Sequence, residues 1–243
     1  MIKLQNVSKS FGNKTVVNDL TLEIPEGKIF GFLGPNGAGK STTIKMISGI
    51  EKPDSGEIFI NNIDILKSPL LAKTQIAYVP DEPVFYSHMT GIQYLNFISD
   101  IFGISVEERK KNIEEYADAF NFLNELKEFT NNYSHGMKQK LSLISAFIHN
   151  PKVIILDEPM VGLDAKAAKT VKQLLKDFTQ KGNTVFFSTH VMDTAERFCE
   201  CLAIISQGNL IFTGTFDNLK NIMGENNSTL EDLFLELTEA EKK

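Results

Sequence analysis

Two kinds of pattern alternate along the chain. Residues 28–33, 76–79, 153–156, 184–188 and 202–206 are dense in Val, Ile, Leu and Phe, which suits strands buried on both faces. Residues 2–7, 16–24 and 57–60 are short, partly alternating runs bounded by turn residues such as Gly12-Asn13, Pro53-Asp54 and Gly56, and they predict further strands. Helical periodicity fills much of the rest. Ser105 with Glu108 forms a capping box ahead of Ile113, Tyr116, Ala117 and Phe120. Asp164 caps a helix whose apolar face is Val171, Leu174, Leu175 and Phe178, stopped near Gly182. Ser228 with Glu231 caps a last helix bearing Leu230, Leu233, Phe234 and Leu237, a stripe that predicts packing on its own chain. Strand-like and helix-like runs in alternation are the pattern of an α/β protein with a mostly parallel sheet. Between about residues 82 and 146 the strand-like runs disappear. That stretch is helical and rich in Phe, Tyr and Glu, and it predicts a helical subdomain inserted into the α/β core.

Composition narrows the function classes. The chain has 243 residues, 42% of them hydrophobic, enough for a sizeable core. Its net charge of −6 lacks the basic footprint of a dedicated nucleic-acid binder, so no nucleic-acid partner is expected. The two cysteines, Cys199 and Cys201, are too few for a disulfide framework or a four-ligand zinc site and fit reduced thiols in the cytosol. No stretch approaches the ~20 apolar residues of a membrane span. The first residues lack the apolar run of a secretory leader. Any work at a membrane is then expected to pass through a partner.

The chemistry begins at Gly34-Pro35-Asn36-Gly37-Ala38-Gly39-Lys40-Ser41-Thr42, which matches G-x-x-x-x-G-K-[ST] between a predicted strand and a helix. Glycines let the backbone turn tightly and approach an anion, so that successive N–H groups face phosphates at a helix N-terminus. Lys40 is placed to reach the β- and γ-phosphates of a nucleotide, and the Ser41 hydroxyl to ligate Mg²⁺. Further on, the apolar run 153–156 ends in Asp157 and Glu158. A buried strand delivers such side chains to the carboxyl edge of the sheet, where ligands bind in open α/β folds. There Asp157 is expected to hold Mg²⁺ through water, and Glu158 to act as general base toward a water.

Taken in order, the motifs resemble the ATP-binding subunit of an ABC transporter, along essentially the whole chain. Tyr133-Ser134-His135-Gly136-Met137-Lys138-Gln139 stands at the place of that family's L-S-G-G-Q signature. Asp164 matches its D-loop, His190 its switch histidine, and Phe11 the aromatic that stacks on adenine. The resemblance implies a P-loop NTPase core with a mostly parallel sheet, an N-terminal antiparallel β-subdomain and an inserted helical subdomain. The chain is read as one ABC-type ATPase domain: a core of 1–82 and 147–215, a helical subdomain 83–146, and a helical tail 216–243. ATP and Mg²⁺ are the implied ligands. Glu158, His190 and Lys40 would be catalytic. Phe11, residues 34–42, Ser134, Gly136 and Asp164 would bind nucleotide, with Ser134 and Gly136 acting on the ATP of a second, identical chain.

Two departures stand out. Asp81, in Val79-Pro80-Asp81-Glu82-Pro83, takes the place of the family's Q-loop glutamine. It can face Mg²⁺ or its water but lacks an amide donor. His135 and Met137 replace a glycine and a glutamine of the signature, while the Ser134 hydroxyl and the Gly136 N–H remain. This variant resembles the bacterial branch that exports antibiotics, peptides or lipids. The implied partners are a polytopic permease and a second ATPase chain, with the protein peripheral at the inner face of the cell membrane. Soluble relatives in DNA repair carry a long coiled-coil insertion, for which the 83–146 segment is too short. Translation relatives join two cassettes, and one phosphate loop is present here. A nucleotide-binding regulator without turnover is the remaining alternative, and intact Lys40, Asp157, Glu158 and His190 argue against it.

Overall fold

The computed structural model describes residues 1–223 and 229–240. Strand β1 (Ile2–Phe11) turns at Gly12-Asn13 into β2 (Lys14–Ile24). With β4 (Ser55–Ile60) and β5 (Ile63–Asp64) they form an antiparallel sheet in the order β2-β1-β4-β5. Alternate residues of β1 and β2 are buried, including Ile2, Leu4, Val7, Leu20, Leu22 and Ile24, as their partly alternating pattern requires.

The second sheet has the order β10-β9-β3-β8-β7-β6. Its strands β3 (Ile29–Leu33), β6 (Ile76–Val79), β7 (Val153–Asp157), β8 (Thr184–Thr189) and β9 (Cys201–Ser206) are parallel. Every residue of β3, β7 and β8 is buried. Within these apolar runs the period of two still sorts side chains. Val153, Ile155 and Phe186 face the cluster under the antiparallel sheet, where helix α1 (Lys40–Ile47) adds Ile44 and Met46. Ile154, Leu156, Val185 and Phe187 face the opposite cluster, built with Leu141, Ile144, Val171 and Leu175.

Several elements lie below the resolution of sequence periodicity: β5, the short helix α2 (Pro69–Lys73) and the antiparallel edge strand β10 (Asn209–Gly214). The last closes a tight hairpin on Gln207-Gly208, both with positive φ (47° and 85°), as a two-residue turn between twisted strands demands.

Between β6 and β7 the chain runs through helices α3 (Gly91–Ile101), α4 (Val106–Ala119) and α5 (His135–Phe147). Thr90 and Gln93 close a full capping box on α3. At α4 the expected box is half formed: Ser105 accepts from the Glu108 N–H at 3.2 Å, but the Glu108 carboxylate instead accepts from Asn150 Nδ2 at 3.2 Å. Aromatic pairs knit this segment, among them Phe85–Tyr94, Tyr116–Phe147 and Phe122–Tyr133.

Helix α6 (Ala165–Gln180) starts at the expected cap, with Asp164 Oδ1 accepting from the Ala167 N–H at 2.8 Å. Helices α7 (Met192–Phe198), α8 (Phe216–Met223) and α9 (Leu230–Ala240) follow. Ser228 lies outside the described residues, and Thr229 accepts from the Asp232 N–H at 3.2 Å at the start of α9. Leu230, Leu233 and Phe234 are buried beside Met192 and Ala195, so this helix does pack on its own chain.

The cysteines do not share a strand. Cys199 follows α7 and Cys201 opens β9; both thiols are free. Burial pushes the Cys199 thiol pKa up to about 12. Its sulfur fills the space over Gly31, where a Cβ would lie 2.9 Å from Sγ.

Candidate functional site

The phosphate loop joins the end of β3 to α1, and its shape is fixed by lack of room. A Cβ at Gly34 would lie 2.4 Å from the Ile205 carbonyl oxygen. At Gly39 φ is 109° and a Cβ would lie 2.6 Å from the Val16 carbonyl oxygen. Only glycine serves at both places. The β9–β10 turn holds the loop from outside, the Gly208 N–H donating to the Ala38 carbonyl at 3.0 Å. Pro35, Asn36, Gly37 and Ser41 are exposed, Thr42 is half-buried and Ala38 is buried. A cavity of about 170 Å³ opens on Asn36, Gly37, Gly39, Lys40, Ser41, Thr42 and Val16.

Lys40 is 9% exposed and folds back into the loop, its Nζ donating to the Gly34 carbonyl at 2.6 Å and to that of Pro35 at 3.1 Å. Burial lowers its pKa, while the carboxylates of Glu158 and Asp157 pull the other way.

Those carboxylates sit where β7 and β8 end side by side. Parallel register sets Asp157 against Ser188, whose hydroxyl donates to Asp157 Oδ1 at 2.5 Å. Glu158 follows with φ at 48°, a conformation uncommon outside glycine, asparagine and aspartate. Its N–H continues the pairing to the Ser188 carbonyl at 3.2 Å. Its Oε1 accepts from the His190 N–H at 2.8 Å and lies 2.6 Å from His190 Nδ1. Its Oε2 accepts from the Thr189 hydroxyl at 3.1 Å. Asp81 is an exposed residue beyond β6; partial burial first, then Asp157, Glu158 and Glu82, hold its pKa above the ordinary carboxylate value. Tyr78 is pushed up to about 12 by burial and then by Asp157 and Asp81. Electrostatically, Asp81, Asp157, Glu158 and Lys40 therefore form one neighbourhood.

The signature stretch meets the same edge from the other side. Ser134 caps α5, accepting from the Met137 N–H at 3.3 Å. A Cβ at Gly136 would lie 2.6 Å from the Gly162 carbonyl oxygen, and one at Gly162 would lie 2.5 Å from His135 Nδ1. His135, the departure from the pattern, thus packs on the turn after Glu158. Buried Gln139 donates to the Pro159 carbonyl at 3.3 Å, and Lys140 pairs with Asp164 at 3.2 Å. The Ala167 N–H, then Lys140, hold the Asp164 pKa below the usual carboxylate range.

Phe11 ends β1 and is 52% exposed, with Lys9 Nζ 5.3 Å from its ring centroid. The structure thus brings Glu158, His190 and Asp157 into direct contact or adjacency and keeps Phe11 as a separate surface ring. Ser188 and Thr189 do not stand out in sequence, yet they hold the two carboxylates. Their only signal is polarity at the end of an otherwise apolar strand.

Among the described residues, no helix is long and apolar enough to cross a membrane. No cluster of three or more His, Cys, Asp or Glu side chains there is placed to hold a metal by itself.

Comparison with known proteins identifies the family. The ABC transporter family pattern matches residues 17–161. The linearmycin resistance ATP-binding protein LnrL of Bacillus subtilis (strain 168) is 35% identical over 92% of this chain and 72% of its own length. A solved structure of the ATP-binding subunit of an ABC transporter superposes with a TM-score of 0.95 at 32% identity, over 98% of this chain and 99% of that one. The ATP-binding cassette MJ0796, solved as a dimer in a post-hydrolysis state with ADP and Pi, superposes with a TM-score of 0.79 at 27% identity, over 88% of this chain and 98% of that one. The chain therefore belongs to the ABC transporter family, as an ATP-binding and ATP-hydrolysing subunit.

Proposed function

We propose that the chain powers export through a separate membrane permease, hydrolysing ATP at the edge formed by Lys40, Asp157, Glu158 and His190. The observation that supports this best is the Glu158–His190 contact at 2.6 Å, beside a phosphate loop whose lysine senses the same carboxylates. Phosphoryl transfer to water asks the protein mainly for position and charge stabilisation. Lys40 exchanges its loop carbonyls for phosphate oxygens. The backbone N–H groups of residues 34–42 and the Lys40 ammonium spread the phosphate charge. Glu158 accepts the proton of the attacking water as the new P–O bond forms and the β–γ bridge breaks. His190 keeps the carboxylate turned toward that water.

The donor set suits Mg²⁺: the Ser41 hydroxyl and the Asp157 carboxylate are hard oxygen ligands, with Asp81 electrostatically close. Mg²⁺ dehydrates reluctantly and usually takes one or two protein oxygens plus phosphates, which fits the lack of a protein-only metal cluster among the described residues. When bound it supplies Lewis-acid charge neutralisation at the phosphates.

We read Ser134, Gly136 and Asp164 as facing the nucleotide of a second copy, in a dimer such as MJ0796 forms. Residues 83–146 then act as the helical subdomain between nucleotide and permease. Exposed Val84, Tyr86, Phe97 and Ile101 give that segment an apolar surface for the permease and bring the chain to the inner face of the membrane. Export follows from the likeness to a resistance protein and from Asp81 before Glu82-Pro83.

Glu158→Gln tests the reading. The variant is expected to bind ATP, form a stable dimer on size exclusion with Mg-ATP, and lose turnover by about 10²-fold or more. Unchanged turnover removes Glu158 from its role, and the absence of an ATP-dependent shift in size argues against the closing dimer.

A further inference from the structure

The Glu158 carboxylate has two tethers of different character. His190 engages Oε1 twice, through its backbone N–H and through Nδ1 of a largely exposed ring. Thr189 engages Oε2, and it is 3% exposed, so water does not compete for its hydroxyl. That hydroxyl already accepts from the Val191 N–H at 3.0 Å. Its single proton is therefore directed at Glu158. The β-branched side chain has few rotamers, so the donor's position follows from the backbone of β8. A carboxylate held at one oxygen alone would swing about its broad terminal torsion. Glu158 also leaves β7 in the left-handed region, a conformation that persists only where the surroundings determine it.

We infer that Thr189 is a positioning residue for hydrolysis: its hydroxyl fixes the plane of the Glu158 carboxylate independently of where the His190 ring points. This rests on the reading of Glu158 as the base. One oxygen, Oε2, takes the permanent tether from the buried threonine. The other, Oε1, is held by the His190 N–H and shared with the exposed His190 ring.

Thr189→Val keeps the shape and removes the donor. The expected result is a fall in kcat of about tenfold to a hundredfold, the scale of a small misplacement of a reacting group, with KM for ATP unchanged. Affinity for ATP measured by calorimetry stays at the wild-type value. Thr189→Ser, which restores the hydroxyl, recovers most of kcat. Unchanged kcat in Thr189→Val overturns the inference, as does a parallel change in KM and affinity, or equal loss in the serine variant. Should Thr189→Val not fold, Thr189→Ala is read by the same split. If neither folds, the hydroxyl is a folding element and the inference is overturned. Glu158→Gln run alongside separates the two ideas: if it turns over normally the base assignment fails, whereas if it is inactive while Thr189→Val is normal only the tether fails.

Discussion

The parallel sheet and the helical segment between β6 and β7 solve the same problem by different means. In the sheet, every residue of β3, β7 and β8 is buried and the register is set by backbone pairing. Asp157, Ser188 and Thr189 have their places fixed by strand ends, and one step of slip would turn each of them to the wrong face. The helical segment has no such ladder. Capping side chains and aromatic pairs hold α3 and α4 together, while α5 joins the core by side-chain packing, with Leu141, Ile144 and Phe147 buried against Ile154, Leu156 and Phe187; at its signature end the contacts are Gly136 on Gly162, Gln139 on Pro159 and Lys140 on Asp164. The contrast teaches where rigidity is placed. Groups proposed to meet the phosphates stand on strand ends set by backbone register, while groups read as meeting a second chain stand at the start of a helix held by side-chain packing.

Deep truncation in each region gives the largest expected effect. Phe186→Ala empties the centre of the sheet, where the ring stacks near Phe30 and Phe32, and should cost about 3–5 kcal/mol. Leu95→Ala, fully buried on α3, should cost about 2–5 kcal/mol. Denaturant titration gives both losses. Hydrogen exchange then distinguishes them: the α3–α5 amides are expected to open first in Leu95→Ala while β7 and β8 stay protected. Uniform opening in that variant would mean that the two regions unfold as one unit.

Next in size is Lys40→Ala. Removing a charged hydrogen-bond donor should weaken ATP binding by roughly 1.5–3 kcal/mol, about ten- to a hundredfold, read by calorimetry. Because the ammonium is desolvated in its present place, the unfolding temperature should hold or rise. Unchanged affinity would take Lys40 out of the phosphate site.

The smallest effect concerns the junction. His149 stacks on Phe102, with Nε2 3.2 Å from the Ile76 carbonyl and Nδ1 3.4 Å from that of Ser145. Burial holds its pKa below the ordinary histidine value. The unfolded chain therefore takes up a proton at a pH where the folded chain does not, and stability falls as pH drops below that ordinary value of about 6.5. Melting curves between about pH 7.5 and 5.5 should show the decline, and His149→Gln should flatten it. An identical slope in the variant would assign it to other groups.

The legibility of the sequence follows the same division. Apolar runs such as Val153-Ile154-Ile155-Leu156 announce buried strands, and the glycine spacing of residues 34–39 announces a loop with no room for side chains. The cap at Asp164 was legible because it is a local interaction. Partners brought together by register were not. Nothing near Ser188 in the chain points to Asp157, 31 residues away. The missed elements β5 and α2 span two and five residues, too few for any period to show. The Glu108–Asn150 contact defeated a full capping box because a tertiary donor, Asn150 Nδ2, outcompeted the local Ser105 N–H for the carboxylate.

The turn at Gln207-Gly208 has a consequence for how ligand enters. Gly208 donates to Ala38 and accepts from the Asn18 N–H at 2.9 Å, so one residue straps the phosphate loop to both sheets at once. A loop anchored this way cannot widen to admit its guest. On the proposed function, accommodation falls instead to a single butylammonium arm, which would vacate the two carbonyls it now occupies for a triphosphate to settle in its stead.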